Sequence, residues 1–300
     1  MITLARHEDS LDGATGSIAV AEAVHTQERQ PAQRLRIHAE AGRYRLRLAE
    51  TEADREAACR LRFRVFNLEL HEGLEQSYET GLDTDCFDLC CEHLLVEDRG
   101  EEHPSRRIVG TYRMQSGATA ARSFGYYSEQ EFSFAPYEPL RAEVLELGRA
   151  AIDRAHRTPE VLTLLWRGIA QYANDMGLRY LVGCSSMNSQ NPAEGWQMYA
   201  QLENYRVRGE FATRPTAAYA CPLGPAGEAV EPLLAGDDAA LAPASAKVPR
   251  LLRTYLAIGA RIAAPPAWDR AFGTIDFLTL LDLKLLTPAA RNRFLAPLTR

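Results

Sequence analysis

Polar and apolar positions fall into a readable order only after the first forty or so residues. Residues 1–43 show no sustained period and read as a flexible N-terminal tail. YRLRLAE (44–50) then alternates at period two, as an edge strand does. Thr51 with Asp54 three residues on is a capping-box-like start. Ala58, Leu61, Val65 and Leu68 follow at helical spacing, which predicts a helix to about Asn67. EHLLVED (92–98) and RRIVGTYRMQ (106–115) predict a hairpin across a charged loop with Gly100 and Pro104. Ser128–Glu131 predicts a short helical turn, and residues 143–153 a further strand.

Thr158-Pro159 is a strong helix start, with threonine as N-cap and proline in the first turn. Leu162, Leu165, Trp166, Ile169, Ala173 and Met176 carry that helix, and Gly177 ends it. RYLVGCSS (179–186) predicts a buried strand, Asn191-Pro192 a helix to about Glu203, and RVRGEFAT (206–213) and AAYACPL (217–223) two more strands. Residues 222–247, rich in Ala, Pro, Gly and Asp, read as a linker or long loop. PRLLRTYLAIGARI (249–262), TIDFLTLLDL (274–283) and the Thr287-Pro288 start then make residues 248–300 a helix–strand–helix extension packed on a core of 44–221. This order places the chain in the α/β (α+β) class, one mixed sheet with helices on both faces.

Apolar residues make up 46%, enough for a sizeable core, and the net charge of −6 argues against a generic nucleic-acid binder. No apolar run reaches membrane-span length and no secretory h-region opens the chain. A cytoplasmic location with reduced thiols is expected. Cys86, Cys90 and Cys91, near Glu92 and His93, match no zinc spacing, so no metal is expected there.

The stretch EVLELGRAAI (143–152) sets the chemical question, because Glu146 and Arg149 interrupt a strand that must be buried. Residues three apart in a regular strand face opposite sides of the sheet. A β-bulge at Gly148 would return both to one face and open a gap beside the next strand. Other charges also sit among apolar residues: Arg60, Arg62 and Arg64 in RLRFRVFNLEL, Asp83, Asp85 and Asp88 in DTDCFD, and Arg113 in GTYRMQ. Such groups are expected to neutralise one another, since burying any one alone is costly.

In order, Arg62 with Val65-Phe66, Asp85 with Phe87-Asp88, Gly110 with Arg113, and Glu146-Leu147 with Arg149 resemble the acyl-homoserine-lactone synthases. Those are GNAT-like acyltransferases that take acyl groups from acyl carrier protein. ELGRAAID, LLWRGIAQY, YLVGCSS and the pattern LLRTYLAIGARI…PAWD…FGTIDFLTLLDL resemble a sister group, the ornithine-lipid N-acyltransferases, also called hemolysin-like. That likeness runs over about 44–296. It implies a GNAT-like fold with a mixed, mostly antiparallel sheet. The implied reaction moves a long, 3-hydroxy or plain acyl group from acyl carrier protein to the α-amine of an amino acid, ornithine first. No permanently bound cofactor goes with this, only acyl carrier protein or acyl-CoA as co-substrate. Two alternatives stand beside it: an autoinducer-type lactone synthase, which the long C-terminal unit disfavours, and a non-enzymatic lytic protein. The latter should carry a membrane-seeking amphipathic stretch, and none of convincing length is found. Peripheral membrane contact would suit an amphiphilic product.

The resemblance also assigns expected roles. Glu146 is the candidate general base, or a fixed anion that orients the amine, with Arg149 and Arg113 pairing the acids or taking the acceptor's carboxylate. Arg62, Asp85 and Asp88 stand as acid–base partners or substrate contacts. Phe66 and Trp166, with Phe63 and Leu164, would line an acyl tunnel or simply form core. Ser185 would donate to the leaving thiol or cap its strand. DRAHRTPEVL (153–162) lacks the glycines that cradle a CoA pyrophosphate, so Arg154 and Arg157 would meet a carrier protein or its phosphopantetheine phosphate. Asp269 and Asp276 would take the second amine of ornithine or, as loop acids, face water.

Overall fold

The computed structural model describes residues 35–222 and 247–294. Among these residues nine strands form one sheet in the order β1-β2-β3-β4-β5-β6-β9-β7, with the short β8 (Ala267–Asp269) beside β9. Every pairing is antiparallel except that of β5 (Val144–Ile152) with β6 (Tyr180–Met187). The mixed, mostly antiparallel sheet expected from the sequence is therefore present.

Helices cover both faces. The helix Glu52–Phe63 begins in the expected capping box, with Thr51 and Asp54 exchanging side-chain and backbone bonds. Its Ala58 and Leu61 pack with Leu95 of β3 (Glu92–Asp98). The helix Pro159–Asp175, N-capped by Thr158, lies on the other face against Leu94 and Val96. Gly168 permits that approach: a Cβ there would stand 2.7 Å from Leu46 and 2.9 Å from Leu94. Consecutive residues of β3 thus feed two separate cores, as a pleat requires.

Several expectations are corrected. β1 (His38–Ala41) lies within the segment read as tail, so β2 (Tyr44–Leu48) is an interior strand rather than an edge. The first helix ends at Phe63 and widens into a π-helix over Arg64–Leu70, closed by His71 at φ 58°. Residues 206–213 and 217–223, up to the last described position, form no strands, only isolated bridges at Arg206 and Ala220, with one more between them at Pro215. The helix Arg250–Ile258 stops at Gly259, φ 117°, and Arg261–Ile262 turns into β7.

The largest correction concerns the C-terminal unit. It is not an extension laid on a finished core. β9 (Thr274–Asp282) pairs residue for residue with β6, from Tyr180↔Asp282 to Met187↔Ile275, and β7 lies outside it. Among the described residues, the edge of β6 away from β5 is filled by this distant segment, so β9 is an interior strand of the sheet. Residues 1–34, most of the 222–247 segment and 295–300 lie outside the described residues.

Candidate active site

The functional geometry begins where two parallel strands part. β5 and β6 pair only through Val144↔Tyr180, Leu145↔Leu181 and Glu146↔Val182. Beyond Glu146 they diverge. Gly183 stands at the vertex: a Cβ there would lie 2.1 Å from the Leu147 carbonyl oxygen, so only glycine fits.

On its other side β5 is bulged against β4 (Ile108–Ser116). Thr111 pairs with Ala151 and Arg113 with Gly148, which leaves Arg149 and Ala150 opposite Tyr112 alone. The bulge expected from the sequence is present, but Gly148 does not make it. The left-handed residue is Arg149, φ 50°, while a Cβ on Gly148 would meet nothing within 4 Å.

Around the fork lies a cavity of about 930 Å³ with walls from both faces of the sheet. Leu147, Leu181, Leu281, Tyr112, Trp166 and Tyr255 line an apolar arm. Trp166 meets Tyr255 edge to face with ring centres 5.6 Å apart, and the Tyr112 and Tyr255 hydroxyls lie 2.5 Å apart. Glu146, Ser128, Glu131, Cys184 and Asp276 line a polar arm. Cross-strand pairs align this second set: Gln115 and Val182 flank Glu146, and Ser186 faces Asp276. Arg157, Lys247, Arg250 and Arg293 add basic groups to the lining.

Glu146 is buried and forms no ion pair with Arg149. Its carboxylate accepts the backbone N–H of Tyr127 at 2.8 Å and that of Ser128 at 2.7 Å. Burial raises its pKa, opposed by the Ser128 hydroxyl, by these backbone donors and by the nearby Arg113. The carboxylate is thus fixed by backbone donors rather than by an ion pair, with its pKa raised above the ordinary glutamate value.

The arginines instead match the aspartates, three to three. Arg62, fully buried, bonds Asp83 through Nε at 2.8 Å and Asp88 through both Nη atoms at 2.7 and 2.8 Å. Arg113 reaches Asp85 at 2.6 Å and Asp88 at 3.2 Å. Arg149 reaches Asp85 at 3.3 Å and Asp83 at 3.6 Å. Burial alone would push Asp88 up, but Arg62 and then Arg113 override it and hold its carboxyl well below the usual range. His93, 3.6 Å from Asp88, is driven down to about 4, chiefly by burial. The expected mutual neutralisation is thus present, with Asp83 in the place assigned to Glu146.

The structure sorts the expected site residues. Glu146, Arg149, Arg113, Phe66, Trp166, Ser185 and Arg157 line the cavity. Arg62, Asp85 and Asp88 do not, because they form the charged wall behind it. Leu164 is core and Phe63 packs on Tyr78, both outside the cavity. Arg154 is exposed away from it, whereas Arg157 is held by Glu69 at 2.5 and 2.7 Å. Ser185 Oγ is buried without a hydrogen-bond partner, as is Arg149 Nε. The sequence offered no signal for Tyr127-Ser128 as the anchor of Glu146, since the contact spans 18 and 19 residues. Glu131 was missed as well. Its oxygens lie with those of Asp269 and Asp276 within 4.8 Å of one another, and all three acids are buried. Among the described residues no helix is long and apolar enough to cross a membrane.

Residues 61–167 match a family model described as an acetyltransferase (GNAT) domain. The chain is 33% identical over 244 residues to an L-ornithine N(alpha)-acyltransferase of Rhizobium meliloti (strain 1021), covering 79% of each chain. It is 31% identical over 272 residues to the protein of the same description in Brucella abortus (strain 2308), covering 84% of this chain and 92% of that one. Among solved structures, FeeM, an N-acyl amino acid synthase from uncultured soil microbes, aligns at TM-score 0.46 and 13% identity over 85% of this chain and 97% of that one. The chain belongs to the L-ornithine N(alpha)-acyltransferase family and carries its GNAT-type acyltransferase fold.

Proposed function

We propose that this protein joins a long acyl group, delivered as a thioester on acyl carrier protein, to the α-amine of ornithine. The observation that carries this reading is the fork between β5 and β6, with an apolar arm on one face of the sheet and Glu146 on the other. The acyl chain lies along Leu181, Trp166 and Tyr255, and the thioester carbon sits at the fork. Backbone groups of β5 past Glu146 have lost β6 as a partner and face the place where the oxyanion develops.

Glu146, directly or through a water, removes a proton from the α-ammonium of the acceptor. The freed nitrogen attacks the thioester carbon and the C–N bond forms; as the C–S bond breaks, the second nitrogen proton passes to the departing sulfur, giving the amide and the thiol. Ser185 Oγ, which lacks any other partner, donates to that sulfur. Arg149 offers its unpartnered Nε to the acceptor's carboxylate. Arg113 acts as a positioning residue: it fixes Asp85, and Asp85 fixes Arg149. Lys247 and Arg250 supply positive charge for a phosphopantetheine phosphate or an acidic carrier surface, with Arg157, paired to Glu69, beside them on the lining and Arg154 exposed outside the cavity.

The test is incubation of the pure protein with long-chain acyl carrier protein or the matching acyl-CoA and a panel of amines. Amide formation on L-ornithine, faster from the carrier than from CoA, is the expected result. No consumption of any amine from either donor refutes the reading.

A further inference from the structure

Among the described residues, two buried acid clusters are treated differently. Asp83, Asp85 and Asp88 are matched by Arg62, Arg113 and Arg149. Glu131, Asp269 and Asp276 come together from a turn, from β8 and from β9, at 1%, 3% and 3% exposure. No Lys, Arg or His among the described residues lies within ion-pair distance of them. Asp269 Oδ1 accepts the backbone N–H groups of Ala271 and Phe272, at 2.8 and 3.0 Å. Glu131 Oε2 and Asp276 Oδ1 are buried oxygens without a donor in hydrogen-bond geometry, although Asp276 Oδ2 accepts from Thr274 Oγ1 at 3.4 Å and the Glu131 and Asp276 carboxyls lie against each other. All three acids line the cavity. A buried, unmatched carboxylate is among the costliest features a fold can keep. Burial and the neighbouring acids push Asp276 up to about 6 and Glu131 well above its ordinary value. Because the trio lines the cavity, its orphaned oxygens face a void that a cation can enter.

The neighbours of the trio indicate which cation. Ser128, whose N–H holds Glu146, has its hydroxyl 3.3 Å from Cys184 Sγ, and Cys184 adjoins Glu131. Phe272, whose N–H holds Asp269, lies under the Arg149 guanidinium at 4.4 Å. The acid trio is thus linked by short contacts both to the base and to the arginine free to take a carboxylate. Resting on the N-acyltransferase reading above, we infer that Glu131, Asp269 and Asp276 form a receptor for the distal ammonium of the acceptor. They restrict it to short α,ω-diamino acids. A neutral side chain of the same length leaves three acids buried and unpaired, which is what rejects it. An ammonium suits the place better than a resident metal, because the acceptor must enter beside Glu146 and brings its own charge.

The test compares L-ornithine with L-norvaline, which has the same carbon chain without the second amine, on the wild-type protein, Glu131→Gln and Asp276→Asn. Wild type should favour ornithine in kcat/KM. Each variant should shrink that preference on the order of 10- to 100-fold, through ornithine KM, while norvaline turnover is kept. An unchanged preference overturns the inference, as does an equal loss on both acceptors. Loss of ornithine preference after chelation, restored by Mn²⁺ or Zn²⁺, overturns it in favour of a metal. Calorimetric binding of the two amino acids separates this from the reaction. If no amine is acylated yet ornithine binds wild type and not Asp276→Asn, the acyltransferase reading fails and the receptor stands.

Discussion

Glu146 is held by the backbone N–H of Ser128, not by the guanidinium of Arg149 three residues along the same strand. This fixes the carboxylate without neutralising it. Replacing it with glutamine turns an amide NH₂ toward one of the two donors, at Tyr127 or Ser128, so one hydrogen bond is lost while the fold persists. Glu146→Gln should lower kcat/KM about 10²–10⁴-fold with far-UV circular dichroism unchanged. Because burial raises the Glu146 pKa, the acid limb of the wild-type pH–rate profile should lie above the ordinary glutamate value of 4.5, and the variant should lose that limb. Unchanged turnover would remove Glu146 from the chemistry.

Two glycines near the fork should behave in opposite ways. Gly148→Ala adds a methyl that meets nothing within 4 Å, so the melting temperature should hold. Gly183→Ala drives a methyl into the Leu147 carbonyl oxygen at 2.1 Å, and the strands must move. It should cost about 1–3 kcal/mol of stability and abolish most acyl transfer. Denaturant titration and turnover of the two variants check this. A benign Gly183→Ala would show that the vertex is not tightly built.

Arg62 belongs to the wall behind the site, so its removal should read as instability rather than as altered chemistry. Arg62→Ala leaves Asp83 and Asp88 buried with one fewer partner. The loss should be about 3–5 kcal/mol, a fall in Tm on the order of 10 °C. Whatever protein stays folded should keep its ornithine KM, and a raised KM with unchanged Tm would place Arg62 at the substrate instead.

Asp276 makes the free protein pH-sensitive. Asp276 titrates near 6 when folded, against an ordinary 3.8. A raised acid pKa means the folded state binds the extra proton, so this contribution is full below about 3.8 and is lost as pH rises through 6. Thermal melts should show Asp276→Asn gaining on wild type between pH 5 and pH 7, by about 1–2 kcal/mol. Ornithine should narrow that gap by binding wild type alone. Parallel curves from pH 4 to pH 8 would contradict it.

Much of the fold was readable where a signal is local. Thr51 with Asp54, Thr158-Pro159 and Asn191-Pro192 each announced a helix start that the structure contains, because caps act within one turn. Long-range pairings were not readable. β1 is four residues of HAEA without a usable period, and β9 joins β6 across about a hundred positions, so the C-terminal segment read as an addition rather than as an interior strand. The site shows the same division. Glu146, Arg149 and Arg113 stood out as charges inside apolar strands. Which acid each arginine meets, and that Arg149 itself takes the left-handed bulge position, depend on segments folded together from residues 62, 83–88 and 149. Glu131 had no local mark at all, because it gains meaning only beside Asp269 and Asp276.

The most direct measurement is a crystal structure with a non-cleavable amide analogue of a long-chain acyl-pantetheine. Its carbonyl should lie at the parting of β5 and β6 beside Leu147 and Gly183, with the acyl chain running past Trp166 and Tyr255 and Glu146 open on the opposite face. Density for the chain on the Glu146 face, or anywhere that leaves the fork empty, would contradict the assignment.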